Sequence, residues 1–128
     1  MLNVGIVGLG TIGKVVAKAL DDGMNGLQLS SIASGRREKA EAFLATLNTP
    51  IEIMSIEEVA ESCEIVVDCA PKVVFAEIAN ATISRGKILV TVSGAGILAN
   101  PDIEKQAAKK KARVILATGA LLGLDAVR

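Results

Sequence analysis

The chain has 128 residues, 51% of them hydrophobic but only 2% aromatic, with 14 basic and 14 acidic side chains that cancel. That length suffices for one domain around one aliphatic core. The charge balance and the lack of Trp and Tyr exclude the basic footprint and stacking aromatics of a nucleic-acid binder. No apolar run reaches the length of a membrane span, and the N-terminus lacks the basic region and cleavage site of a signal peptide, so the expected partners include no membrane and the expected location is the cytoplasm.

Residues 2–7 read as a buried strand, leading straight into Gly8-x-Gly10-x-x-Gly13. A helix follows over 11–20, with Ile12, Val15, Val16, Ala19 and Leu20 at helical spacing. Asp21-Asp22-Gly23 and Gly26 end it. Residues 27–33 form a second strand and 36–47 a helix whose inner face carries Ala40, Phe43, Leu44 and Leu47. Pro50 stops that helix and precedes a short strand over 51–54. Ser55 and Glu58 have capping-box spacing and open a helix to about Ser62. Residues 64–69 read as an apolar strand. Pro71 precedes a helix over 73–84, stopped by Gly86, and 87–92 is the next strand. Asn100-Pro101-Asp102 reads as cap, first helical position and dipole-favoured acid of a helix to about Lys111. Residues 113–118 form the last strand.

Strand and helix alternate without repeats. Continuous apolar strands imply burial on both faces and hence a parallel sheet. Right-handed crossovers then give an α/β fold, a doubly wound parallel sheet of the Rossmann dinucleotide-binding type, with six strands in the order 3-2-1-4-5-6. Ligand is expected at the carboxyl ends of the strands, where small residues recur: Gly8–Gly10, 33–37, 69–71, 92–96 and 118–120.

The glycine turn has a physical reason at each position. Gly8 permits the tight turn, Gly10 lets backbone approach a pyrophosphate, and Gly13 lets the helix sit close to the strand. The N–H groups of Thr11, Ile12 and Gly13 then stand at the positive end of a helix dipole. The second strand lacks the terminal acid that would hold a ribose 2′-hydroxyl. It ends in Ala33-Ser34-Gly35-Arg36-Arg37, and Ser34, Arg36 and Arg37 suit a 2′-phosphate. NADP is therefore the preferred cofactor and NAD the alternative.

The segments Val67-Asp68-Cys69-Ala70-Pro71, Val92-Ser93-Gly94-Ala95 and Thr118-Gly119-Ala120-Leu121-Leu122-Gly123-Leu124-Asp125-Ala126 together resemble the L-aspartate dehydrogenase family. Its hallmark near the last of them is Ser-Gly-Ala-Ile-Gly-Gly-Leu-Asp-Ala, from which this chain departs with Thr118 for Ser, Leu121 for Ile and Leu122 for the first Gly of the pair. The resemblance covers all 128 residues. It implies oxidation of L-aspartate to iminoaspartate with NAD or NADP, and a link to nicotinamide-cofactor biosynthesis. It places Cys69, Ala70 and Pro71 near the nicotinamide, maps the family's Ser-x-Gly-Ala loop onto Ser93, Gly94 and Ala95 as further cofactor contacts, and gives the Ala120 backbone amide a hold on the cofactor. It also implies a second α/β domain, absent from this chain, carrying a catalytic His and an Asn and most of the substrate pocket. The chain has no histidine and ends at Arg128, inside the expected next helix, so residues 1–128 are expected to bind cofactor and to be inactive alone, without catalytic residues of their own. Two other readings stay open: the cofactor half of a homoserine-dehydrogenase-like enzyme, and a stand-alone NADP-binding regulatory module.

The remaining features are weaker. Cys63 and Cys69 read as lying in one strand, about 20 Å apart, too far to bridge, and without histidine they make a poor metal site; buried thiols in a reducing compartment are expected. Lys109-Lys110-Lys111 reads as a solvated helix end. Lys72 reads as a surface lysine, Asp68 as a buried acid with a hydrogen-bonding role, and Asp125 as a helix-opening acid. The apolar segment 116–127 predicts self-association, most simply as a symmetric dimer.

Overall fold

The computed structural model describes residues 1–117. They form β1 (Leu2–Val7), α1 (Thr11–Asp22), β2 (Leu27–Ala33), α2 (Arg37–Leu44), β3 (Glu52–Ile53), α3 (Ile56–Ser62) and β4 (Ile65–Asp68). A 3-10 turn (Lys72–Val74) follows, then α4 (Phe75–Ile83), β5 (Ile88–Thr91), α5 (Gly94–Ala99), α6 (Ile103–Lys110) and β6 (Arg113–Leu116). All five strand pairings are parallel, and the sheet runs β3-β2-β1-β4-β5-β6, the expected order.

The apolar strands are buried on both faces because side chains alternate across the pleat. Val4 and Ile6 of β1, Leu29 and Ile32 of β2 and Val67 of β4 face Val16, Ala17 and Leu20 of α1, with Phe43 and Leu44 of α2 beside them. Val7, Val66 and Leu89 point the other way, onto Val59 and Ala60 of α3, Phe75 and Ile78 of α4, and Ile103 and Ala107 of α6. The segment from β3 to β4 is thus the crossover between faces. Its helix opens on the expected capping box: Glu58 N–H donates to the Ser55 hydroxyl at 3.1 Å, and Ser55 N–H to the Glu58 carboxylate at 2.9 Å.

Four expectations are corrected. The second helix ends at Leu44, not Leu47, because the chain breaks into turns: Thr46 sends both its N–H and its hydroxyl to the Phe43 carbonyl. The Asp21 carboxylate then takes the N–H groups of Asn48 and Thr49. Cys63 does not share a strand with Cys69; it ends α3, fully buried under the sheet, and its thiol lies 3.3 Å from the Ser31 hydroxyl. Residues 94–96, read as part of the strand-end loop 92–96, instead open the helix α5, capped by the Ser93 hydroxyl, which accepts from Gly96 N–H at 2.9 Å. Asn100 does not cap the next helix, which starts after Asp102; its side-chain amide instead donates to the Gly96 carbonyl and closes α5.

The segment 118–120, Ala120, Asp125 and most of the apolar stretch 116–127 lie outside the described residues. Among the described residues no helix is long and apolar enough to cross a membrane, and no cluster of His, Cys, Asp or Glu is placed to hold a metal.

Candidate functional site

Five strands end in one row. Parallel pairing sets Val7 between Ala33 and Asp68, Asp68 beside Thr91, and Thr91 beside Leu116. Backbone bonds stitch the loops that leave this row. Gly8 N–H donates to the Ala33 carbonyl, Cys69 N–H to the Val7 carbonyl and Ala117 N–H to the Thr91 carbonyl, each at 2.8 Å. The turn after β1 therefore sits between the loops after β2 and β4, in the crevice where open α/β sheets bind ligands.

The three glycines of that turn do different work. Gly8 has φ +97°, and a Cβ on it would stand 2.6 Å from the Cys69 carbonyl oxygen. A Cβ on Gly13 would collide with the Gly8 carbonyl oxygen. Gly8 lets the loop after β4 pass close to the turn, and Gly13 lets helix and strand close on each other. Nothing lies within 4 Å of where a Gly10 Cβ would stand. Gly10 precedes α1 in an extended conformation, no side chain caps the helix, and its first turn holds no acid. Thr11, Ile12 and Gly13 thus present the positive end of a 12-residue helix whose own first turn offers no negative group to answer it.

On the β2 side, the Ser34 hydroxyl accepts from Arg36 N–H at 3.2 Å and folds the loop toward α2. Arg36 is exposed and forms no ion pair among the described residues. Arg37 is turned along the helix, its Nε 3.4 Å from the Glu41 carboxylate, but both side chains are more than half exposed and such a pair is weak. Beside them, Lys14 stands over the Phe43 ring, 5.8 Å from its centre. A concavity of about 500 Å³ lies farther out, between Arg37, Glu41, Leu44, Pro50, Ile51 and Ile53; no glycine-turn residue lines it.

On the β4 side, Cys69, Ala70 and Pro71 follow Asp68. Cys69 is half-buried, and burial pushes its thiol up to about 12, with the Asp68 charge acting in the same direction. Asp68 is 1% exposed. Its Oδ1 accepts from Ala70 N–H at 3.1 Å and its Oδ2 from the Thr91 hydroxyl at 2.7 Å. Burial raises its pKa from the ordinary carboxylate value, against these two bonds, which lower it. The Thr91 oxygen in turn accepts from Ser93 N–H at 3.0 Å. Gly94 follows at the start of α5. Lys72 is exposed, as is the Lys109–Lys111 run at the end of α6.

The row therefore gathers Gly8, Gly10, Thr11, Ile12, Gly13, Ser34, Arg36, Cys69, Ala70, Pro71, Ser93 and Gly94 on one edge, with Arg37 turned aside. Sequence reasoning named Asp68 without a partner and passed over Thr91. The missing signal is register: only strand pairing sets the two opposite each other.

Residues 8–117 match the family described as "Homoserine dehydrogenase, NAD binding domain". An L-aspartate dehydrogenase of Bradyrhizobium diazoefficiens is 44% identical over 126 residues, covering 98% of this chain and 45% of that protein. L-aspartate dehydrogenase 3 of Bordetella bronchiseptica is 33% identical over 127 residues, 98% of this chain and 47% of that protein. The chain thus spans about half the length of the curated relatives it matches. Among solved structures, a biliverdin reductase of Synechocystis, determined with biliverdin and NADP+, superposes with a TM-score of 0.78 at 21% identity, covering 95% of this chain and 39% of that one. At that identity the likeness shows the fold.

Proposed function

The chain belongs to the homoserine-dehydrogenase-type NAD-binding domains and to the L-aspartate dehydrogenase family, and from that membership we propose that residues 1–128 are the dinucleotide-holding part of an enzyme that oxidises L-aspartate, with NADP preferred over NAD. The observation that carries the reading is the turn at Gly10. Two glycines pack it shut, while the middle one faces open space before an uncapped helix. An anion such as a pyrophosphate fits that combination.

In this reading Gly8 shapes the turn, its own N–H spent on the Ala33 carbonyl, and Gly10, Thr11, Ile12 and Gly13 hold the pyrophosphate through backbone N–H groups. Ser34 and Arg36 receive the 2′-phosphate, and Arg37 joins them by giving up its exposed bond to Glu41. Cys69, Ala70, Pro71, Ser93 and Gly94 border the nicotinamide, and Ala120 adds a backbone contact. The bound cofactor supplies the hydride acceptor for the substrate's α-carbon. Asp68 and the thiol of Cys69 are poor candidates for the accompanying proton transfer: one is sealed behind Thr91 and Ala70, and the other stays protonated at neutral pH. A base and an amino-acid pocket are then functions of a second domain, and the chain alone binds cofactor without turning over aspartate. A homo-oligomer joined through the 116–127 segment belongs to the same proposal, and light scattering at micromolar concentration tests it.

A second reading, the cofactor half of a homoserine-dehydrogenase-like enzyme, is favoured by the description of the matching family. Identities of 33% and 44% to L-aspartate dehydrogenases favour aspartate. Thermal-shift titration with NADPH and NADH tests the cofactor reading. A ligand at a hundredfold its dissociation constant adds about 2.7 kcal/mol of stability, so a clear shift with NADPH and a smaller one with NADH are expected, and no shift with either overturns it. Incubating the chain with L-aspartate and NADP+ tests the rest. Formation of NADPH would place catalysis within these residues.

A further inference from the structure

We propose that Asp68 and Thr91 are positioning residues for the nicotinamide half of the bound dinucleotide, their hydrogen bond locking the loop after β4 to the loop after β5. The inference rests on the dinucleotide reading above and deepens it.

The bond joins two side chains that are almost wholly shielded from water, Asp68 at 1% exposure and Thr91 at 0%. A carboxylate in that place is costly unless its oxygens are bonded, and both are. Ala70 N–H donates to Oδ1, and the Thr91 hydroxyl donates to Oδ2. The polarity at Thr91 is then forced. Its one proton goes to Asp68, so its oxygen is left to accept, and it accepts from Ser93 N–H. One carboxylate therefore fixes the backbone at Ala70 directly and at Ser93 through a single hydroxyl. The same two segments meet a second time. A Cβ on Gly96, in α5, would stand 2.6 Å from the Phe75 ring, so the helix that follows Ser93 rests against the start of the helix that follows Pro71. The two loops are braced as one unit.

That unit lies on one side of the glycine turn only. The sheet order places β4 and β5 on the side of β1 away from β2, and a dinucleotide crosses such an edge with its pyrophosphate at the turn. Its adenosine half then falls toward Ser34 and Arg36, and its nicotinamide half toward Ala70 and Ser93. Loops that are already ordered need not lose freedom on binding. Loosening the brace should weaken ligands that reach across the turn and spare those that stop at it.

The test compares NADPH and NADH with 2′,5′-ADP and ADP, which carry the adenosine half and end at the turn, by calorimetry on the 128-residue chain, with circular dichroism to check folding. Thr91→Val keeps the shape and removes the hydroxyl. It should weaken both dinucleotides by about tenfold, the scale of one lost buried hydrogen bond, and leave the fragments within about twofold. Thr91→Ser restores the hydroxyl and should restore dinucleotide binding. If Thr91→Val does not fold, Asp68→Asn carries the same comparison. Unchanged dinucleotide binding overturns the proposal, as does equal weakening of dinucleotides and fragments, or failure of Thr91→Ser to recover it. If the unmodified chain binds none of the four, the dinucleotide reading itself falls and this inference falls with it.

Discussion

The carbonyl oxygen of Gly8 occupies the place where a Cβ on Gly13 would stand, so the first and last glycines of the turn lock strand to helix through each other. Gly10, between them, has nothing within 4 Å of its missing Cβ. Stability and binding therefore separate within one motif. Gly13→Ala forces backbone apart and should cost about 1–3 kcal/mol, the usual range for overpacking. Gly8→Ala adds a left-handed φ to a similar clash and should cost at least as much. Gly10→Val should unfold in urea close to the unmodified chain and lose NADPH binding. Strong destabilisation by Gly10→Val, or retained affinity, would contradict the division.

The second prediction concerns cofactor choice. Arg36 has no acidic partner among the described residues, whereas Arg37 is held by Glu41. Arg36→Ala should weaken NADPH by at least about tenfold, because hydrogen bonds to charged groups contribute about 1.5–3 kcal/mol. NADH binding should change little. Arg37→Ala should have the smaller effect of the two. Titrating both variants with both cofactors checks this. An equal loss of NADPH and NADH would remove the guanidinium group from 2′-phosphate recognition.

The fold was legible because its signals are local and agree: apolar runs, helical spacing, a capping box and a glycine turn, each bounded by Gly or Pro. Where reading failed, tertiary context decided. Thr46 bonds back to Phe43 and ends α2 three residues before the apolar pattern does. The α5 helix hides because two of its first three residues are glycine, a poor helix former, and the Ser93 cap with Gly96 three positions on was the one sign of it. Gly5 reads as an ordinary strand residue, yet a Cβ there would strike Val59 and Cys63, so α3 can lie against β1 only at a glycine. In the candidate site, the glycine turn is visible in sequence because its chemistry is contiguous. The Asp68–Thr91 pair is not, because the residues are 23 positions apart and only strand register brings them together.

Cys69 sits beside the glycine turn but should be chemically quiet. Its thiol is pushed from 9.0 up to about 12, and only the thiolate is nucleophilic. Three units of pKa correspond to about a thousandfold less thiolate near neutral pH. Iodoacetamide at pH 8 should therefore modify Cys69 orders of magnitude more slowly than a small-molecule thiol, with the rate still climbing above pH 10. Mass spectrometry of the labelled peptide follows it. Rapid alkylation at pH 8 would show that the site is wetter than its burial implies.

The last prediction separates Asp68 from the other acids by sign. Asp21 and Glu58 have lowered pKa values, chiefly through the N–H groups of Asn48 and Ser55. Each contributes stability that is present above its unfolded pKa and is lost as pH falls through the folded one. Asp68 runs the other way. Burial, the largest influence on it, raises its folded pKa above 3.8, so the folded state holds that proton more tightly than the unfolded chain does. Its ionisation costs nothing in stability well below 3.8, and the cost grows as pH rises from there through the raised folded value, then levels off. Subtracting the unfolding free energy of the Asp68→Asn variant from that of the unmodified chain cancels Asp21 and Glu58, which both proteins share. The difference should fall as pH increases across this window and be flat above it, whatever constant offset the altered bonds to Thr91 and Ala70 introduce. Urea titrations at intervals from pH 3 to pH 8 measure it. A difference that rises with pH would mean that the bonds from Thr91 and Ala70 outweigh burial and that Asp68 is held as a favoured carboxylate in the folded state.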